Sequence, residues 1–149
     1  MIMVSACLLG TSCKYNGGHN LNQAVASYLK DKPIILICPE MLAGLGIPRN
    51  ACEIQGGDGH DVLSGKARVV SLSGKDLTAE FIMGAESCLN LALLNEVSTA
   101  ILKERSPSCG CRQIYDGCFS NSIVKGSGVT ASLLEKNKIK IMSEEDFKD

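Results

Sequence analysis

The segment DKPIILICPE, residues 31–40, decides the fold. Pro33 ends whatever precedes it, and Ile34–Ile37 is an unbroken apolar run. Such a run reads as a strand buried on both faces, the habit of parallel sheets covered by helices. Upstream, Ile2–Ala6 is a first strand, followed by a Gly-rich turn at Gly17-Gly18. Leu21–Leu29 then has helical spacing, with Asn20 placed to cap it and Leu21, Ala24, Val25, Tyr28 and Leu29 on one face. Downstream, Cys38–Ser64 is a long Gly-rich loop of the kind that carries function. Ala67–Ser71 is a candidate strand. Asp76–Leu94 has the clearest helical period, with Phe81, Ile82, Ala85, Cys88, Leu89, Ala92 and Leu93 on its apolar face. Thr99–Lys103 is a third clear strand and Glu104–Ser127 a second irregular stretch. Val129–Lys136 is a short helix and Ile139–Met142 a last strand. Strands alternating with helices imply βαβ crossovers and a mostly parallel sheet. The expected fold is therefore α/β: a single three-layer, Rossmann-like domain over residues 1–149.

Composition agrees with that fold class. A chain of 149 residues buries roughly 70% of the surface its unfolded form exposes. Its hydrophobic and charged fractions, 45% and 21%, are those of a soluble globular protein. Fifteen basic against sixteen acidic residues leave a net charge of −1. No basic field is available for a nucleic acid polymer, which disfavours that partner class. No apolar run approaches the ~18–20 residues of a membrane span. The start, MIMVSACLLG, lacks the basic and long apolar regions of a signal peptide. A cytoplasmic protein is expected, and there the eight cysteines point to metal binding or catalysis more than to disulfides.

In a parallel sheet, sites form beyond the carboxyl ends of the strands. Cys7 follows the first strand, Cys38 follows the second, and Cys109 lies in the loop after Thr99–Lys103. Three thiols thus fall at one end of the sheet, and a thiolate trio is a soft-metal site. Four thiolates would close a structural zinc or iron–sulfur site; three leave one metal position open. Spacing alone leaves the blander reading open too, since a free cysteine often serves as a small buried hydrophobe. Cys88, on an apolar helix face, reads that way, and Cys52, Cys111 and Cys118 read as loop residues without a role. The Cys7-x5-Cys13 spacing could bring Cys13 to the same metal, but no standard CxxC pattern is present.

The motifs VSACLLG (4–10), KYNGG (14–18), CPE (38–40), GLGIPR (44–49), AILKERSPSCG (100–110), IYDG (114–117) and GSGVTASLL (126–134) resemble the domain-of-unknown-function 523 family. That family includes the thiouracil desulfidases. The matches run in order over nearly the whole chain. The resemblance implies a [4Fe–4S] cluster held by Cys7, Cys38 and Cys109, with a fourth iron free to take the sulfur of a thiolated nucleobase. It departs from the family pattern at Asn16, where the family usually carries Asp, and at Ala43, where a Gly is usual. Position 13 is variable in the family, so Cys13 is not carried over as a ligand.

Glu40 stands two residues past Cys38. Its functional reading is general acid/base chemistry on water or product; its structural alternative is an ion pair, with Arg49 as partner. The resemblance favours the catalytic role, and it places Ser106, the first serine of SPSCG, near the substrate. Ser108 reads as turn chemistry, and Lys103 with Glu104 as a solvated pair. Gly126-Ser127-Gly128 reads either as a capped helix start or as N–H donors for a uracil carbonyl. Tyr115 and Asp116 read as a pocket wall with an acceptor or as a simple turn. His19 and His60 read as solvated loop residues.

The leading expectation is non-redox desulfuration of a thiolated pyrimidine or other small thioamide, with Glu40 and Ser106 as catalytic residues. A structural-zinc protein closing its site with a fourth thiol such as Cys13, and a persulfide sulfur carrier, are the alternatives.

Overall fold

The computed structural model describes residues 1–148. In chain order its elements are β1 (Ile2–Ser5), α1 (Gln23–Leu29), β2 (Ile34–Ile37), α2 (Pro39–Leu42), β3 (Cys52–Gln55), α3 (Gly59–Leu63), β4 (Arg68–Ser71), α4 (Thr78–Leu94), β5 (Thr99–Leu102), β6 (Gln113–Tyr115), β7 (Ile123–Lys125), α5 (Val129–Lys136) and β8 (Lys140–Ser143). The main sheet runs β2-β1-β5-β8 with every neighbouring pair parallel. Alternation along the strands sends side chains to two faces. Met3, Ala100 and Leu102 pack with Cys88 and Ala92 of α4 and with Ala131 and Leu134 of α5. Val4 and Ile101 pack on the other face with Val25 and Leu29 of α1 and with Phe147. The result is the expected three-layer α/β fold. Each fully buried aliphatic side chain in these layers contributes about 1.5–3 kcal/mol.

The chain passes from β2 back across β1 to β5, so its order reverses between β1 and β5. Crevices beyond the carboxyl ends at such a reversal are where α/β sheets hold ligands. Cys7 lies in the 3-10 turn Ala6–Leu9 that follows β1. Cys38 directly follows β2 and caps α2. Cys109 lies in the loop after β5.

Several local readings are corrected. The first helix starts at Gln23, capped by Asn22, whose side chain accepts from Val25 N at 3.0 Å. Asn20 instead donates its backbone N–H to Cys7 O at 2.9 Å. Leu21 and Tyr28 are exposed rather than on a buried face. β2 is an edge strand hydrogen-bonded only to β1, and Leu36 is 45% exposed, so its apolar run does not mean burial on both faces. The segment from Cys38 to Ser64 is not an unstructured loop. It contains α2, β3 and α3, and α3 carries a capping box between Asp58 and Asp61. β3 pairs antiparallel with β4 outside the main sheet. The stretch 104–127 likewise contains the antiparallel hairpin β6–β7. Among the described residues no helix is long and apolar enough to cross a membrane.

Candidate active site

A cavity of about 360 Å³ opens at the carboxyl end of the main sheet. Cys7, Cys38, Cys109, Glu40 and Ser106 all line it, so the fold gathers every expected site residue. Cys13 lines it as well, and Cys88 does not. All eight cysteines are free thiols. A volume of this size suits a small-molecule ligand.

Two close approaches set the frame. Gly84 of α4 faces α2: a Cβ there would meet Pro39 O at 2.4 Å, so only Gly lets the helix carry the Cys38–Glu40 segment. Gly128, before α5, faces the 106–109 turn: a Cβ there would meet Ser108 C at 2.4 Å and Cys109 N at 2.8 Å. Its φ of −76° suits any residue, so the requirement is space alone. The first N–H groups of α5 are already used. Gly128 N donates to Gly110 O, Val129 N to Pro107 O and Ala131 N to Ser108 O, at 2.8, 2.8 and 3.0 Å. This corrects both readings of Gly126-Ser127-Gly128: neither Ser127 nor Thr130 caps α5, and its N–H donors hold the SPSCG loop instead of a ligand carbonyl. Gly128→Ala is expected to cost about 1–3 kcal/mol through overpacking and to lower iron uptake, because it displaces Cys109. Thermal melting together with iron per chain after anaerobic reconstitution checks this; a destabilised variant with full iron would separate the turn from the cavity.

The loop has a second support. Glu104 is fully buried, not half of a solvated pair with Lys103. Its Oε1 accepts from the backbone N–H groups of Cys111, Arg112 and Gln113 at 2.8, 2.9 and 3.1 Å. Lys103 Nζ pairs with Glu144 Oε2 at 3.0 Å. Burial pushes the Glu104 carboxyl up, and these N–H groups with the Cys111 thiol more than offset it, holding the acid below its usual range. A carboxylate whose folded pKa is lowered stabilises the fold above its unfolded value of ~4.3, and that stability is lost as pH falls through the folded value. Wild-type stability is therefore expected to fall with pH below ~4.3 more steeply than that of Glu104→Gln. Chemical denaturation at a series of pH values measures it, and parallel curves would exclude Glu104 as a contributor.

Glu40 is the hub of the cavity's polar wall. Its Oε1 accepts the hydroxyl proton of Ser108. Its Oε2 lies 3.6 Å from Cys38 Sγ and 4.0 Å from Arg49 Nη2. The Arg49 pair is long, and the guanidinium makes better bonds to Cys13 O and Gly46 O at 2.9 and 2.8 Å. Arg49 thus ties the loops around Cys13 and Gly46 beside the carboxylate more than it neutralises it. Ser106 Oγ accepts from Ser108 N and Cys109 N at 3.2 and 3.1 Å and so closes the turn that presents Cys109. The turn chemistry expected of Ser108 belongs to Ser106, while the Ser108 hydroxyl goes to Glu40.

Burial raises the pKa of the Cys7 thiol. Burial and the nearby Glu40 carboxylate raise those of Cys38 and Cys109. Burial raises Cys52, Cys88 and Cys111 in the same direction, so the shift marks burial; to bind as thiolates, Cys7, Cys38 and Cys109 need a cationic centre in the cavity. Asn20 Nδ2, 3.5 Å from Cys7 Sγ, adds a donor to one of them. Among the described residues no three His, Cys, Asp or Glu side chains are grouped closely enough to bind one metal ion. A tetrahedral zinc site asks for that grouping. A cubane cluster takes each thiolate on a different iron, and thiols set around one cavity fit it.

A model of the 2-thiouracil desulfurase family matches residues 2–146. The chain belongs to that family. It is 44% identical over 149 residues to the uncharacterised Bacillus subtilis (strain 168) protein YbbK, covering 100% of this chain and 99% of that one. Its fold matches that of the [4Fe-4S]-dependent thiouracil desulfidase TudS with a TM-score of 0.85 at 38% identity, over 97% of this chain and 91% of the other. In this member of the 2-thiouracil desulfurase family the remaining motif residues separate clearly. Tyr115 lines the cavity, while Asp116 only closes a turn by accepting from Cys118 N at 2.9 Å. Asn16 lies outside the cavity lining and accepts from Gly18 N at 2.9 Å, a turn bond that Asp would make equally. His19 and His60 are exposed.

Sequence reasoning missed the roles of Ser108 and Glu104, and it missed Glu53 altogether. Glu53 is buried in β3 and holds the loop after β6 through Gly117 N and Phe119 N at 2.9 and 3.1 Å. No local signal marked it, because CEIQ mixes polar and apolar residues within a stretch that reads as loop.

Proposed function

We propose that this chain removes sulfur from a thiolated pyrimidine base such as thiouracil, converting C=S to C=O without net electron transfer. The observation that carries the reading is the meeting of Cys7, Cys38 and Cys109 with Glu40 and Ser106 in one small cavity. Cys7, Cys38 and Cys109 would hold a [4Fe–4S] cluster; when bound, it supplies an iron without a protein ligand that acts as a Lewis acid toward the thiocarbonyl sulfur. The residues of the chain do the rest. Glu40, held in the wall, accepts a proton from the attacking water. Ser106 presents its oxygen to the cavity beside it. Water oxygen replaces sulfur on the ring carbon; of the water's two protons, the one held by Glu40 leaves with the departing sulfide as hydrosulfide, and the other is released to solvent as the carbonyl forms. Tyr15 and Tyr115 supply flat apolar wall, and Asn20 and Asn50 supply polar edges, matched to a planar heterocycle. The whole chain acts as one domain, since all three strand ends contribute to one cavity.

The test is an assay on anaerobically reconstituted protein, following loss of thiocarbonyl absorption and release of sulfide. Turnover with stoichiometric hydrosulfide is expected. An intact cluster with no turnover on any thiolated pyrimidine overturns the reading. Turnover that persists in metal-free protein would favour the sulfur-carrier alternative.

A further inference from the structure

Ser108 is the least accessible polar residue of the site. It is fully buried and does not line the cavity, while its neighbour Ser106 does. Its hydroxyl closes neither the turn nor the start of α5. The turn is closed by Ser106, and α5 is tied to main-chain oxygens. What the hydroxyl touches is Glu40 Oε1, Ser106 Oγ at 3.1 Å and Cys109 Sγ at 3.6 Å. Of these, a carboxylate is the strongest acceptor, so the single hydroxyl proton of Ser108 goes to Glu40. The proton between the two serines must then belong to Ser106. The chain of donors runs one way: Ser106 O–H to Ser108 Oγ, Ser108 O–H to Glu40 Oε1.

We propose that Ser108 is a positioning residue that aims Glu40 and joins it to the cavity through Ser106 as a proton path. The proposal rests on the desulfuration reading given above. Ser108 never meets the substrate. In the forward direction a water at Ser106 gives its proton to Ser106 Oγ as Ser106 passes its own to Ser108 and Ser108 passes its own to Glu40. Three O–H bonds break and three form. The net result is a hydroxide for attack and a protonated Glu40, and no electrons change hands. The reverse passage returns the proton to the departing sulfide. Two backbone N–H donors, those of Ser108 and Cys109, fix the Ser106 oxygen while the protons move.

The test compares wild type, Ser108→Ala and Ser108→Thr, with Glu40→Gln as reference. Without any cluster, the carboxylate stretch of Glu40, identified by its absence in Glu40→Gln, is read by infrared difference spectroscopy. It is expected at higher wavenumber in Ser108→Ala and near the wild-type position in Ser108→Thr. After anaerobic reconstitution, Ser108→Ala should bind full iron and sulfide and keep KM within about threefold. Its kcat on thiouracil should fall about 10²-fold, the lower end of a general acid–base contribution, and Ser108→Thr should recover most of it. Wild-type kcat in mixed H2O and D2O should show a bowed dependence from several moving protons, turning linear in Ser108→Ala. An unshifted Glu40 band, an unchanged kcat in Ser108→Ala, no recovery by Thr, or a linear wild-type dependence would each overturn the proposal. A wild type that holds its cluster but turns over nothing removes the functional reading alone, and the infrared band still decides whether Ser108 holds Glu40.

Discussion

Replacing Cys7, Cys38 or Cys109 by Ser is expected to abolish stable cluster binding, with bound iron and acid-labile sulfide falling to background after anaerobic reconstitution. Serine keeps the volume of cysteine but offers a hard hydroxyl in place of a soft thiolate, and iron–sulfur clusters are held by thiolates. With only three cysteines proposed as ligands, losing one leaves two. Turnover should vanish with the iron. The informative controls are Cys13 and Cys88. Cys13 lines the same cavity, so Cys13→Ser reports whether proximity alone makes a ligand; it should keep full iron. Cys88 is fully buried on α4 and lies outside the cavity lining. Cys88→Ser should keep iron too and cost about 1–3 kcal/mol in stability, because its hydroxyl enters an apolar core. Iron loss in Cys13→Ser with full iron in Cys38→Ser would exchange their roles.

The parts of this molecule legible in the sequence are those fixed by local periodicity. Ile34–Ile37, Thr99–Leu102 and the long helix ending at Leu94 stand within a few residues of where their patterns put them. With three parallel strands placed, the sheet-end rule put Cys7, Cys38 and Cys109 at one edge. The elements that were missed are four or five residues long or shorter: α2, β3, α3, β6 and β7. The legible strands are no longer, but IILI and TAIL are apolar runs, whereas segments such as CEIQ, QIY and PEML mix polar with apolar residues, and their pairing is decided by partners far along the chain. The same holds for the side chains. Cys38, Glu40 and Cys109 stand in short motifs, so their neighbourhood could be read from chain position. Glu104 and Ser108 take their meaning from contacts with residues 111–113 and with Glu40, which no local spacing announces.

The edge strand shows the limit of the apolar-run argument. A run of four aliphatic residues fits burial on two faces, yet Leu36 of the edge strand β2 is 45% exposed, so the layer over that face does not cover it. Composition could not tell an edge from a centre, since that depends on how many strands the chain later adds and on which side. The functional reading survived because it needed only the strand's direction and its carboxyl end, and both are independent of edge or centre.

Glu40→Gln is expected to retain the cluster and lose most of its turnover. The amide has nearly the shape of the carboxylate, and its carbonyl oxygen still accepts from Ser108. Arg49 keeps its bonds to Cys13 O and Gly46 O at 2.9 and 2.8 Å, so the wall stands without the charge. What disappears is the base. General acid–base catalysis contributes ~10²–10⁴-fold, so the barrier should rise by about 3–5 kcal/mol. Iron per chain should match wild type while sulfide release from thiouracil falls by that factor. Ser106→Ala makes the contrast. It removes the acceptor for Ser108 N and Cys109 N at 3.2 and 3.1 Å, so it loosens the turn that bears a proposed ligand as well as the cavity face. It should lower iron and turnover together, with turnover per bound cluster reduced less than in Glu40→Gln, because a hydroxyl orients water without being the final proton acceptor. Full turnover per cluster in Glu40→Gln would move the base elsewhere. The half-buried carboxylate 3.6 Å from Cys38 Sγ would then be left as a local structural acid, held there by Ser108 and a distant guanidinium.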